Sequence, residues 1–287
     1  MFTVVIGIGS ALIFGSADFL GGLASKRMSS ILATAIAAVT GLVVLLLALP
    51  LLGGQWSIEA VLLGALSGVS GAIAIGLLYA CLAIGPMSIL SPLTAVVSAI
   101  VPLSVGLAAG ERLGTIGYVA LGLALVAIVL VGFVPERGAV RPALKGVLMA
   151  IGSGIAIGAF LIIIDATPDD SGLVPLVLNR AVNAAIMFTL VGVLVFIALR
   201  RGIAPQPAGW KTGIRLALAC GVVDAIANAG LLLGVRLGDL SVMAVLTALY
   251  PAGTIILAAI VLKERIAIVQ YVGLALAVIA GGMLALA

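Results

Sequence analysis

Ten runs of apolar residues follow one another along this chain, each about as long as a helix must be to cross a lipid bilayer, with little sequence between them. They fall at roughly 3–25, 31–52, 58–84, 88–110, 115–134, 145–165, 173–199, 212–235, 240–262 and 267–286. A hydrocarbon core of roughly 30 Å requires about 20 apolar residues per helix. Ten such spans therefore use nearly all of the 287 residues. In hydrocarbon every backbone amide must be satisfied within the protein, and these runs are too long for the alternating strands of a membrane barrel. The expected fold class is all-α: a polytopic membrane protein of about ten transmembrane helices, with the lipid bilayer as its main partner.

Composition excludes the soluble alternatives. Only 8% of the residues are charged, where a soluble domain carries about a quarter. The net charge of +4 is not a nucleic-acid signature, because the 14 Lys and Arg stand singly or in pairs between apolar runs, with no basic stripe or stacking aromatics. The chain has no His and two Cys, at 81 and 220 inside apolar runs. No metal site, haem attachment or disulfide framework is expected from such a set, and no cofactor. The cysteines read as small packing residues. The first run, MFTVVIGIGS onward, has no preceding Lys or Arg and contains Asp18, so it reads as a first span and not as a cleaved signal.

The polar connection PERGAVRPALK at 135–145 divides the chain five runs from five. Setting the segment that begins at Gly85 against the one that begins at Gly238 makes about a third of the positions identical without a gap. The matches include Glu111-Arg112 with Glu264-Arg265 and Tyr118 with Tyr271. Apolar composition alone does not readily place a charged pair and a tyrosine in one register. IGSALIFG at 8–15 also echoes IGSGIAIG at 151–158. The expected units are two five-helix repeats, residues 1–138 and 139–287. An odd number of crossings makes the second copy enter from the opposite side, which gives inverted repeats around a central cavity, an architecture common among secondary transporters.

The segments LAAGERLGTIGYVALGLALVAI and LAAIVLKERIAIVQYVGLALAVIAGG, together with the opening FGSADFLGGLASKRMS, resemble EamA-type members of the drug/metabolite transporter superfamily. The resemblance implies a ten-helix exporter or exchanger of small metabolites, such as amino acids or related compounds, in a cell (inner) membrane. Orientation has two opposed expectations. Eleven basic residues lie at one face if all ten runs cross, and only Arg112 and Arg236 at the other. The positive-inside rule then makes the rich face cytoplasmic and puts both termini outside, whereas the resemblance implies cytoplasmic termini.

Charged and polar residues inside spans are costly, on the order of 2.5–3.5 kcal/mol for Asp at mid-helix, and therefore mark cavities or partners. Asp224 stands near the middle of the eighth run on a face with Gly213, Ala217, Gly221 and Asn228. Asp18 repeats that pattern in the first run, closer to the end. Arg180 is the one basic residue well within a run, beside Asn179 and Asn183. Its partner is expected among Asp224, Asp18, backbone carbonyls or a substrate carboxylate, with snorkelling to the interface as the plainer account. Tyr79 and Tyr250 can line a cavity or pack with one hydrogen bond. The candidate substrate-binding set is Asp224, Asn228, Arg180, Asn183, Asp18, Tyr79 and Tyr250. Pro92, Pro102 and Pro251 fall inside the fourth and ninth runs, the equivalent helices of the two halves, where matching kinks and static packing are equal readings. Glu111 and Glu264 read as parts of the fold, and Trp56 and Trp210 as interfacial anchors.

No GxxxxGK[ST] motif is present, so ATP is not expected to drive transport directly. A secondary transporter working by alternating access, with or without proton coupling, is the leading expectation, acting on a small-molecule solute as a monomer or weak dimer. The alternatives are an organic-cation or drug efflux carrier and an intramembrane enzyme on lipid-linked substrates. The absence of His and the dispersal of the carboxylates argue against the enzyme.

Overall fold

The computed structural model describes residues 2–84, 87–132, 143–201, 210–263 and 266–286, apart from the side chains of 79, 82–84, 87–89, 91 and 210. Among these there is no strand. The first half forms α1 (Phe2–Ser25), α2 (Ser30–Leu52), α3 (Ile58–Ile84), α4 (Met87–Ala108) and α5 (Thr115–Gly132). The second forms α6 (Leu144–Asp165), α7 (Val174–Arg200), α8 (Trp210–Leu237), α9 (Leu240–Thr247), α10 (Pro251–Val261) and α11 (Ile268–Leu286). Nine spans of the described chain, α9 and α10 counting as one, are long and apolar enough to cross a membrane, and α4 contributes a shorter apolar stretch, Pro92–Ala108. The proposed boundary at 138/139 lies outside the described residues.

The helices end where the sequence removes their support. Gly53 takes φ 75° and its N–H returns to the Leu49 carbonyl, closing α2; this left-handed turn suits glycine. Pro175 occupies the first turn of α7, where a missing N–H costs nothing.

Side-chain size runs opposite to a water-soluble fold. Leu47, Ile58 and Val278 are 71%, 76% and 74% exposed, while Ala24, Ala35, Ala60, Ala99 and Ala124 are completely covered. So large an apolar surface has no stable place in water. In lipid it is neutral, and small residues inside let backbones approach. Gly64 and Gly68 of α3 lie against the backbone of α7 at Pro175 and Asn179, where a methyl group would collide. Gly154 and Gly158 of α6 fit the α4 side chains Val97 and Val101 in the same way.

The packing partners show the relation between halves. α1 lies against α8, and α6 against α3; α2 lies against α8, and α7 against α3; α1 meets α9 and α10, and α6 meets α4. Exchanging each helix for its counterpart in the other half turns one member of each pair into the other. The pairs α2 with α7, α4 with α9 and α5 with α11 are their own counterparts. The direction is inverted. Thr3 at the start of α1 donates to the Leu237 carbonyl at the end of α8, Gln55 N–H donates to Asp170 O, and Glu111 reaches the start of α9. One face thus holds the beginning of α1 and the end of α6, so the two halves enter from opposite sides.

That face carries Glu59, Glu111, Asp165, Asp169, Asp170 and Asp239 against Arg112 and Arg236. Lys26, Arg27, Lys145, Arg200, Arg201 and Lys263 mark the other.

The halves differ at the prolines. The ninth span breaks at Ala248–Tyr250 between α9 and α10, with short-range bonds from Leu249 N to Leu246 O and from Tyr250 N to Thr247 O. Pro251 has no N–H for the Thr247 carbonyl, and its ring would crowd that carbonyl in a continuous helix. α4 contains Pro92 and Pro102 and nevertheless runs unbroken. An interruption of the helix accompanies the proline in the second half only. α4 is backed by the glycine face of α6, whereas the ninth span at Thr247 and Tyr250 borders open space.

Candidate functional site

A cavity of ≈ 220 Å³ lies at mid-depth between α1, α3, α6, α7, α8 and the break after α9. Most of its wall is apolar, including Phe14, Phe160 and Leu231. Its polar groups come from four spans, and Asp18, Arg180, Asn183, Asp224, Asn228 and Tyr250 all line it. Tyr79 belongs to α3, but its side chain lies outside the described residues.

Arg180 and Asp224 form an ion pair, Nη2 to Oδ2 at 2.7 Å, between α7 and α8. Each charge answers the other in a setting where either alone would be expensive. Asn228, one turn beyond Asp224 on α8, donates Nδ2 to the Asp224 carbonyl at 2.8 Å and to Oδ1 at 3.2 Å. The pair is therefore held on both sides. Asn179 is buried beside it and donates to Ser67 Oγ at 2.9 Å, and Ser67 Oγ donates to Gly64 O, tying α7 to α3 at the close glycine contact.

Asp18 differs. Its side chain is exposed toward the cavity, and among the described residues it has no ion pair or hydrogen bond. Besides Arg236 Nε, three side-chain atoms of the described residues are buried without a hydrogen-bond partner among those residues: Arg180 Nε, Asn183 Oδ1 and Thr247 Oγ1. All three side chains line the cavity, so a donor and two acceptors remain free for an occupant.

Sequence reasoning passed over Thr247, Phe14 and Phe160. A signal existed for the threonine, since Leu246-Thr247-Ala248 repeats Leu93-Thr94-Ala95 in the aligned halves. Thr94 donates to Leu90 O and lies within reach of Ala150 O, joining α4 to α6. Its counterpart beside the break has no such partner. The small-residue pair Gly230/Gly234 lies against Ser10, Ile6 and Met243. Glu264 lies outside the described residues, while Glu111 caps α9, its two carboxylate oxygens accepting the Leu240 and Ser241 N–H groups at 2.8 and 3.1 Å.

A second cavity, ≈ 550 Å³, opens between α1, α2 and α8 toward the acidic face. It is almost wholly apolar, and its one charged residue, Arg236, is already engaged with Pro168 O and Ser171 Oγ.

A search among curated proteins gives no significant match. A solved structure described only as "Crystal structure of protein" is similar at 16% identity with a TM-score of 0.74, over 100% of this chain and 99% of that one; at this identity the likeness concerns the fold. The family described as the EamA-like transporter family matches residues 144–286. A ten-helix membrane protein of inverted halves whose second half carries that match belongs to the EamA-like transporter family, within the drug/metabolite transporter superfamily.

Proposed function

We propose that the chain is a secondary transporter that exports or exchanges small metabolites, amino acids or related compounds among them, across a cell membrane by alternating access. The observation that supports this reading is the mid-depth cavity to which both halves contribute polar groups, Asp18 from the first and Arg180, Asp224, Asn228 and Tyr250 from the second. In an inverted-repeat carrier the interface between halves is where a solute is held while access changes sides. An occupant there is desolvated, so buried groups lacking partners determine what is accepted. Arg180, Asn183 and Thr247 supply such groups. The membrane gradient of the solute, or of protons taken up by a cavity carboxylate, supplies the driving force.

The test is counterflow of a labelled metabolite panel into proteoliposomes containing the purified chain. Saturable flux that falls in Asp224→Asn and Arg180→Ala, both shown to be folded by thermal unfolding, is expected. Saturable flux indifferent to both changes would remove the cavity from the transport path.

A further inference from the structure

Two carboxyl groups, Asp18 and Asp224, and one guanidinium, Arg180, line the central cavity. Arg180 and Asp224 neutralise one another at 2.7 Å, and Asn228 supports the carboxylate. Asp18 is left over, open to the cavity and without an ion pair or hydrogen bond among the described residues. An unanswered carboxylate at this depth in a membrane protein is disfavoured, and a cation that enters beside it restores neutrality. A zwitterion leaves the excess negative charge where it was, and an anion adds to it.

The rest of the wall narrows the chemistry. Phe14, Phe160 and Tyr250 line the same space as Asp18, and aromatic rings near a carboxylate are favourable surroundings for an ammonium group. Asn183 Oδ1 and Thr247 Oγ1 are acceptors without a described donor, suited to the remaining N–H bonds of such a group. Arg180 Nε has a proton to give and no described acceptor. Were a substrate carboxylate to draw the guanidinium away, Asp224 would keep the Asn228 hydrogen bond but lose its countercharge. A neutral carbonyl or hydroxyl oxygen takes the Nε hydrogen bond without disturbing that pair. The face at which α1 begins is the acidic one, and a surface of one sign concentrates solutes of the other.

We infer that the cavity selects solutes of net charge +1 that combine an ammonium group, answered by Asp18, with a neutral oxygen acceptor and an apolar body. This rests on the cavity being the transport site. The discriminating set is leucinamide, leucine and N-acetylleucine, which share one side chain and carry charges of +1, 0 and −1. Binding is read by thermal stabilisation of the detergent-purified chain, and flux by counterflow with protein-free liposomes as the leak control. The wild type should bind and carry leucinamide at least about tenfold better than leucine, with N-acetylleucine last. Asp18→Glu should keep that order. Asp18→Asn, whose cavity is neutral when empty, should lose it or reverse it in favour of leucine.

A wild type that prefers leucine, the outcome if Asp18 carries a resident proton, would overturn the inference while leaving transport intact. So would an Asp18→Asn protein that is folded and still prefers the amide. If that variant does not fold, the wild-type order and Asp18→Glu decide alone. Saturable flux of other metabolites with no binding of leucinamide or any other amine cation also refutes the charge rule. Absence of saturable flux for every solute tried refutes the transport reading itself.

Discussion

Asp224 stands about midway along α8, where its charge is met by Arg180 from α7 and by Asn228 from the next turn of its own helix. Removing one member of such a pair leaves the other uncompensated, at a cost of about 3–5 kcal/mol. Asp224→Asn should therefore lower the melting temperature of the detergent-solubilised protein substantially. The double replacement Arg180→Met with Asp224→Leu should recover most of the loss, because neither charge is then stranded. Asp239 provides a pH test at the surface. Partial burial, and then the neighbouring Glu111 carboxylate, push it above the usual carboxylate range. A carboxyl raised in the fold favours the folded state while protonated, and that contribution is lost as pH rises through the raised value. Asp239→Asn should accordingly raise the melting temperature at neutral pH, with the gain vanishing near pH 4, as thermal scans at the two pH values would show. Several of these residues were visible in the sequence because a charge inside an apolar run is conspicuous. The choice of Asp224 as the partner of Arg180 was not, since Asp18, a backbone carbonyl or a substrate served the sequence equally well. Thr247 stayed hidden for a different reason: a threonine in an apolar helix ordinarily bonds its own preceding turn, as Thr94 does.

At the scale of the elements, close approach replaces hydrophobic burial as the source of cohesion. Gly15 of α1 faces Gly253 and the Tyr250 carbonyl at the start of α10, and Thr254 Oγ1 donates to the Gly15 carbonyl at 3.0 Å. A methyl group at Gly15 would meet backbone and not a yielding side chain. Gly15→Ala should cost about 1–3 kcal/mol, read as a lower melting temperature, whereas Gly9→Ala on the same helix, where the added methyl meets nothing within 4 Å, should be near neutral. Glu111 ties the connection after α4 to the first turn of α9 through two backbone N–H groups. Glu111→Ala should cost about 1–2 kcal/mol, as the loss of a helix cap does. The positions of the spans were legible because each exceeds the bilayer thickness. The break in the ninth span was not, since Pro92 and Pro102 give the same signal inside an unbroken α4; packing against α6 on one side and open cavity on the other separates the two cases.

For the molecule as a whole, the asymmetry of charge between the two faces predicts which one meets the cytoplasm. Lys and Arg dominate the face that contains Lys26, Arg27 and Arg201, and such a face is retained inside. Glu59 and Arg201 are exposed on opposite faces, so in a cysteine-free background Glu59→Cys should react with a membrane-impermeant thiol reagent in intact cells, and Arg201→Cys only after permeabilisation. The reverse pattern would place the acidic face inside and follow the resemblance instead of the charges.

The break between α9 and α10 has no counterpart in α4. Two identical halves related by a two-fold axis in the membrane plane would make the inward-open and outward-open forms equivalent by rotation, equal in energy and equally populated. An interruption present in only one half adds to the sequence differences between the halves, because swapping them does not regenerate the same molecule. If the alternating-access cycle proposed above holds, the two orientations of the empty chain differ in energy, and solute binding must work against that difference in one direction.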